Sequence, residues 1–507
     1  MTTINFCIMA AIILYLLLML AIGFIFSKGN SDSTDFYLGG RKMGPLVTAM
    51  SAEASDMSSW LLMGLPGLAY LAGIAEPVWT ALGLGVGTYL NWLFVAKRLR
   101  RYSSNINAIT VPEFYSKRFK DKKNILAAIA GLTTVIFFVP YTASGFSACG
   151  KLFNSLFGVD YVTAMVIAAV IISIYTIMGG FKAVSTTDLI QSIVMTIALI
   201  VVVFYGISHA GGVGAVIDNA KQLTGYLSLT QTHNISTGEI GSYGFVTIVS
   251  TMAWGLGYFG MPHILLRFMA IEDEKKLVLS RRIATIWVFI AMSVAIVIGV
   301  IGYGMTNAGS MISLPDSETI IVEIAGLISK NGILAALLAG VILAGILAAT
   351  MSTADSQMLA AASGVSQNII VEFLGIKLDN KKNVLIARIT IVIICIIGVI
   401  LAQDPNSSVF RIVSFAWAGF GGAFGAVTLL ALFWKRCNMW GALAGMVSGG
   451  AMVFIWKFLV RPLGGAWDIY ELLPAFILSL VLTVVVSLLT KEPDQEVYDE
   501  FEKAKAK

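Results

Sequence analysis

Charged side chains are scarce in this chain: Asp, Glu, Lys and Arg make up 12% of its 507 residues, against about 25% in ordinary soluble domains. With 57% hydrophobic residues, that scarcity excludes a water-soluble fold, since no such fold encloses so much apolar side chain. There are 3 histidines (His209, His233, His263) and 4 cysteines (Cys7, Cys149, Cys395, Cys437). None shows metal-site spacing, which excludes a zinc centre, and the cysteines sit in or beside apolar runs as buried thiols do. No phosphate-binding glycine loop is present, so ATP is excluded as the energy source. No nucleophile–base pair accompanies the acids inside the apolar runs, which argues against an enzyme. The net charge of +5 lies in short loops between apolar segments and does not imply nucleic acid. Nothing points to an organic cofactor or an obligate protein partner.

What is present is a series of apolar runs, the composition of an all-α polytopic membrane protein. At about 20 residues per crossing, roughly thirteen spans are expected. They lie near 6–27, 46–70, 74–96, 123–153, 160–179, 188–208, 243–268, 283–306, 321–358, 385–402, 408–434, 438–460 and 468–490. The run Phe6–Phe26 is too long for a signal peptide and lacks a small-residue cleavage site, so it counts as a span. Lys and Arg gather in alternate loops: Lys28, Arg41 and Lys42; Lys97–Lys123; Lys275–Arg282; Lys377–Lys382; Lys435 and Arg436. Lys457 and Arg461 are exceptions. The positive-inside rule then puts the N-terminus outside and the C-terminus in the cytoplasm of a cell membrane. The external loop 211–242 is expected to be irregular, and the mixed-sign tail 491–507 a solvated cytoplasmic segment.

Three spans are wrong for passive crossings. In span 2, Glu53, Ser55, Asp56, Ser58 and Ser59 occupy the deepest part. An acid there must face a cavity, a partner or a cation. Small residues and hydroxyls let the helix open, which is tolerated only where the backbone lines a site. Span 7 carries Trp254-Gly255-Leu256-Gly257-Tyr258-Phe259-Gly260-Met261-Pro262-His263, in which three glycines and a proline weaken the helix. Paired interruptions five spans apart imply two inverted repeats, spans 2–6 (46–210) and 7–11 (243–435), with an accessory N-terminal segment (1–45) and accessory spans 12–13 (436–490). Span 9 ends in Ala349-Thr350-Met351-Ser352-Thr353-Ala354-Asp355-Ser356-Gln357. Ser352, Asp355 and Ser356 share a face there, with Ala349 one turn earlier. Hydroxyl and carbonyl oxygens suit a hard cation such as sodium; the alternative is that the hydroxyls bond back to their own helix. Asp188 follows Gly179-Gly180-Phe181 at the start of span 6, where it either sits at a helix N-terminus or helps release a cation. Tyr141 in Pro140-Tyr141-Thr142-Ala143-Ser144 is placed to reach a substrate, and Arg41 reads as a positive-inside anchor.

These pieces together resemble the sodium:solute symporter family. The resemblance spans nearly the whole chain. It rests on Tyr37-Leu38-Gly39-Gly40-Arg41, Ala54-Ser55-Asp56-Met57-Ser58 with Trp60–Gly67, Gly179-Gly180-Phe181 leading to Asp188, the span 7 stretch with Pro262-His263, Met351-Ser352-Thr353, Ala416–Gly421 and Gly441–Met446. It implies a leucine-transporter-type fold of 5+5 inverted repeats with one extra helix at the N-terminus and two at the C-terminus. It also implies sodium-coupled uptake of L-proline. By matching positions, sodium is expected between spans 2 and 9, on the carbonyls of Ala54, Met57 and Ala349 and the hydroxyls of Ser352 and Thr353, with Asp56 as the sodium-linked acid. Ser58, Trp60, Tyr141, Trp254, Tyr258 and Pro262 form the expected proline set. Asp188, Asp355 and Ser356 are a candidate second cation site, though two acids there equally suit a shared proton. Ser59 stands where the pattern has Gly and Met261 where it has Gln, so another small solute (betaine, pantothenate, a sugar, another amino acid) is the alternative cargo. An ion channel is the alternative of another class.

Overall fold

In the computed structural model the described residues are 2–27 and 33–505; Lys28 and Lys507, which enter the charge argument, lie outside them. Eleven helices among the described residues are long and apolar enough to cross a membrane. The segments expected as spans 2 and 7 are not among the eleven, because neither is a continuous helix. Span 2 is Pro45–Ser59, a wider π-type turn Trp60–Gly64, then Leu65–Ala72. Span 7 is Phe245–Met252, a tightened stretch Ala253–Gly260, then Pro262–Ala270. Length and composition therefore do not by themselves establish a count of thirteen.

Span 9 is the hub. It runs Ile333–Ser363 and continues to Phe373, and every residue from Ile342 to Ser363 is buried. An α-helix with apolar residues on all sides is stable only when enclosed by others. Here span 1 (Thr3–Ser27), span 4 (Ile125–Phe157), the span 5–6 unit (Tyr161–His209) and broken span 2 surround it. Leu14, Phe204 and Ile393, by contrast, are exposed on the outer surface, as lipid-facing positions are.

Helices in a bilayer gain little from hiding apolar surface, so close approach through small residues holds them together. Where span 3 (Ala75–Asn105) crosses broken span 7, the glycines interlock. A Cβ on Gly87 would stand 2.4 Å from the Gly255 carbonyl oxygen, and one on Gly255 would stand 2.2 Å from that of Gly83. The two backbones come this close because Gly83 and Gly87 of span 3 and Gly255 of span 7 carry no side chains at the point of contact.

Four expectations change. Gly180 leaves the helical path (φ 62°, ψ −169°), and span 6 starts there rather than at 188. Asp188 thus lies about two turns inside a helix, not at an N-terminus. Span 9 does not begin at 321: a separate helix, Ile320–Ser329, precedes it. The external loop is ordered as a helix, Val213–Gln222, and a small hairpin pairing Gln231–His233 with Ile240–Ser242, because Tyr226 and Ile235 bond to the end of span 2. The tail forms the helix Gln495–Lys505, with Val497, Phe501 and Ala504 buried. Phe501 lies under the guanidinium of Arg98, and Lys120 pairs with Glu496 and Glu500. The exceptional cations Lys457 and Arg461 both pair with Glu471, at 3.2 and 3.0 Å, and Arg461 also pairs with Asp468 at 2.8 Å.

Gly87→Ala should lower the melting temperature of the purified protein, because overpacking against backbone costs about 1–3 kcal/mol. Gly214→Ala, where a Cβ meets nothing within 4 Å, should leave it unchanged or slightly raised. Equal shifts in a thermal-stability assay would discount the crossing.

Candidate substrate and cation site

The break in span 2 falls at Ser58, whose backbone is left-handed (φ 49°, ψ −172°). A non-glycine residue adopts that region only when its surroundings hold it there. The Ser58 side chain helps, since its hydroxyl accepts the Trp60 N–H at 3.1 Å. Interrupting a helix leaves carbonyls of the preceding turn short of partners inside the helix. One of them is met from span 9: the Ser352 hydroxyl donates to the Ala54 carbonyl at 2.8 Å. The same hydroxyl lies 3.1 Å from the Ala349 carbonyl, to which Thr353 donates at 3.2 Å. Two carbonyls and two hydroxyls from two crossings thus meet at one point, an all-oxygen set suited to a hard monovalent cation. Met57 is not part of the group in this state; its carbonyl closes the local turn by accepting the Trp60 N–H.

Asp56 faces elsewhere. Its carboxylate takes a hydrogen bond from the Tyr258 hydroxyl on span 7, and its carbonyl takes one from the Tyr141 hydroxyl on span 4 at 3.2 Å. The expected acid therefore ties the two broken crossings together rather than facing span 9. Asn91 fixes Tyr258 in turn, donating to its carbonyl at 3.0 Å. The neighbouring acid Glu53 is held by the Trp92 indole N–H at 3.0 Å.

The expected substrate residues fall into two groups. Ser58 and Tyr141 line a narrow crevice with Thr142, Thr350, Thr353 and Gln357, too tight in this structure to admit a water molecule. Trp60 and Trp254 are not among its walls. Their rings lie 5.7 Å apart, and Phe410 of span 11 (Val409–Phe433) packs at 5.8 and 5.6 Å from them. Trp417 of the same span donates its indole N–H to the Trp254 carbonyl at 2.7 Å. The Trp60 indole N–H is buried with no protein partner among the described residues, so it is a donor left for a ligand. Pro262 is the first residue of the lower half of span 7, after extended Met261, and no side chain caps that half-helix. The positive dipole end of that half-helix favours an anion. Ser59 is buried and its hydroxyl has no partner among the described residues.

Asp188, Asp355 and Ser356 also come together, with three residues that motif reading passed over. The Arg267 guanidinium reaches Asp188 at 3.1 Å and Ser356 at 2.6 Å; Ser51 donates to Asp188 at 2.6 Å; the Tyr175 hydroxyl donates to Asp355. Arg267 had one visible signal: it is a lone cation inside Pro262–Ala270, otherwise apolar but for His263.

The ends of the broken spans beside the first loop are stitched together. Met43 and Ala270 share a backbone hydrogen bond at 3.2 Å, and the Glu272 N–H donates to the Met43 carbonyl at 3.0 Å. Arg41 is more than an anchor. It donates to the carbonyls of Met269 (2.8 Å), Ser103 (3.1 Å) and Ala108. Burial pulls its guanidinium down to about 10, which leaves it charged at neutral pH.

A model of the sodium:solute symporter family matches residues 36–449. The osmoregulated proline transporter OpuE of Bacillus subtilis (strain 168) is 40% identical over 96% of this chain and 95% of its own. The high-affinity proline transporter PutP of the same strain is 40% identical over 95% of this chain and 98% of its own. A sodium/proline symporter of Salmonella typhimurium is 40% identical over 97% and 95%. Among solved structures, a Na+-coupled sialic acid symporter in a substrate-bound outward-open state aligns with TM-score 0.77 at 18% identity, over 96% of this chain and 99% of that one. A nucleobase-cation-symport-1 family transporter in a closed conformation aligns with TM-score 0.54 at 13% identity, over 92% and 98%.

Tyr258→Phe should destabilise the purified protein by about 1–3 kcal/mol, because it leaves a buried carboxylate without its donor. Tyr89→Phe, 41% exposed on span 3, should have no such effect. Equal melting temperatures for the two variants would break the link assigned to Asp56.

Proposed function

This chain belongs to the sodium:solute symporter family, and from that premise we propose that it carries L-proline inward with sodium by alternating access. Its fold is the leucine-transporter type, shared with the Na+-coupled sialic acid symporter and the nucleobase-cation-symport-1 family transporter it aligns with. Relatives at 40% identity that bear the names of proline transporters and of a sodium/proline symporter support the cargo. One contact carries the mechanism: the Ser352 hydroxyl of span 9 on the Ala54 carbonyl beside the break in span 2. Sodium entering there takes lone pairs that now accept hydrogen bonds, and it orders the broken segment against the hub. That ordering sets Ser58, Trp60 and Asp56 for the substrate, so each ligand raises the other's affinity by the same factor. N–H groups of the first helical turn after Pro262 receive the carboxylate, and the Trp60, Trp254 and Tyr141 rings receive the pyrrolidine.

The protein works as a multi-pass protein of the cell membrane, N-terminus outside and C-terminus cytoplasmic, with inverted repeats at 46–210 and 243–435. Ser59 and Met261, which depart from the family pattern, give a second cargo reading: another small solute such as betaine, pantothenate, a sugar or another amino acid. Saturable uptake accompanied by sodium flux distinguishes both from a channel.

Reconstituted protein should take up labelled proline only with an inward sodium gradient, and unlabelled proline should compete better than betaine, pantothenate or sugars. Ser352→Ala with Thr353→Ala should raise the sodium concentration for half-maximal uptake by about tenfold or more, corresponding to about 1.4 kcal/mol or more, at unchanged expression. Uptake by that variant with wild-type sodium dependence would falsify the assignment.

A further inference from the structure

The pocket formed by Asp188, Asp355 and Ser356 already holds a cation, and it is the chain's own. Four crossings meet there: Ser51 from span 2, Asp188 from span 6, Arg267 from span 7, and Asp355 and Ser356 from span 9. The Arg267 guanidinium is 2% exposed. Every nitrogen of its fork is engaged. Nη2 donates to the Asp188 carboxylate at 3.1 Å and the Ser356 hydroxyl at 2.6 Å, Nε to the Ser51 hydroxyl at 3.0 Å, and Nη1 to the His263 carbonyl at 2.9 Å. Its carbon lies 5.1 Å from the centre of the Phe181 ring. Ser356 passes the contact on by donating to Asp355 at 3.1 Å, and Tyr175 donates to the same carboxylate. The second Asp188 oxygen is buried with no partner among the described residues.

A guanidinium keeps its charge at any physiological pH, and burying it without an anion is prohibitive. Asp188 is its ion-pair partner. The rest of the pocket is oxygen: Ser51, Ser356, Tyr175 and Asp355. Without the guanidinium, two carboxylates and three hydroxyls would converge on the vacated space, which is a ligand set for a hard cation. On the reading that this chain is a sodium–proline symporter, we propose that Arg267 is a tethered counter-ion standing in for a second sodium. Each proline is therefore coupled to a single sodium, the one between spans 2 and 9. Arg267 acts as a positioning residue: it touches neither proline nor the transported ion, and it sets the ion count through Asp188.

The test is the power with which sodium drives uptake in proteoliposomes. In wild type, the proline ratio held at static head should follow the first power of the imposed sodium ratio, with membrane potential clamped at zero. Arg267→Lys, which keeps a charge in the pocket, should behave the same way. Arg267→Met, similar in length but neutral, should move toward the square, because sodium now fills the vacated site. Adding Asp188→Asn to Arg267→Met should restore the first power by removing the vacated charge. A square dependence in wild type overturns the proposal, as does a first-power Arg267→Met variant that still transports. If Arg267→Met does not fold, the wild-type ratio decides alone. Wild-type uptake indifferent to sodium has a different signature and removes the transport reading beneath it.

Discussion

Within a bilayer there is no water to satisfy a released peptide group, and this structure is arranged around that constraint. A helix may be broken only where another part of the protein meets the freed carbonyls and N–H groups. Span 2 breaks at Ser58 and span 7 at Met261. Both breaks are enclosed, the first by span 9 and Tyr141, the second by span 3 and span 11. The Ser352 hydroxyl on the Ala54 carbonyl and the Trp417 indole on the Trp254 carbonyl are the two contacts that make the breaks tolerable. A hydroxyl that satisfies a carbonyl can also step aside for a cation, since either arrangement leaves no polar group bare. On the proposed reading, the Ala54 carbonyl and Ser352 hydroxyl that stabilise the break in span 2 are also the groups offered to the ion, so fold and function would share one set of atoms.

The same economy appears at the two ends of the bundle. On the side of the first loop, Arg41 gathers carbonyls from three segments, and Met43 pairs with the end of span 7. At the far end, Glu318 caps span 11: it accepts the Val409 and Phe410 N–H groups at 3.1 Å and the Ser408 hydroxyl at 2.9 Å. Buried Lys151 of span 4 balances it at 2.8 Å. The capped first turn carries Phe410, whose ring packs on Trp60 and Trp254. Each closure joins elements that any opening must separate, and each is made of hydrogen bonds to charged groups. Such bonds are strong individually, yet water can replace them once it enters.

How much of this was legible in the sequence follows from which physical signals are local. The eleven continuous spans were, apart from the starts of spans 6 and 9, because apolar length is a property of one segment. The breaks in spans 2 and 7 were, because hydroxyls, glycines and proline inside apolar runs announce themselves. So was the encounter of Ala54 with Ser352, through the family pattern. Partner choice was not. Asp56 turns to Tyr258 because span 3 presents Asn91 to lock that tyrosine, and nothing near Asp56 encodes this. The docked tail was misread for the same reason: Phe501 is one aromatic in a charged helix, and its partner Arg98 lies on the far side of the chain. The ordered external loop depended on Tyr226 finding the carbonyl of Tyr70 at 2.8 Å.

Arg267 shows why intramembrane cations deserve the scrutiny given to acids. Counting Lys and Arg orients the spans, and a count that treats every cation as a loop residue passes over one that lies inside. The bilayer makes such a residue expensive whatever its sign, so it persists only where a partner is fixed by several crossings at once. Here Asp188 and Ser356 come from spans 6 and 9, and Ser51 joins from the same broken crossing that supplies Ala54. Ser51 and Ala54 are three residues apart on one helix, and Ser352 and Ser356 four apart on another. The two oxygen clusters are therefore successive turns of the same pair of helices. On the proposed reading, sodium at one turn would act on the same two helices that grip the guanidinium at the next. A rigid pair of helices gives a short and direct route by which ion binding at mid-membrane can be felt at the base of span 7.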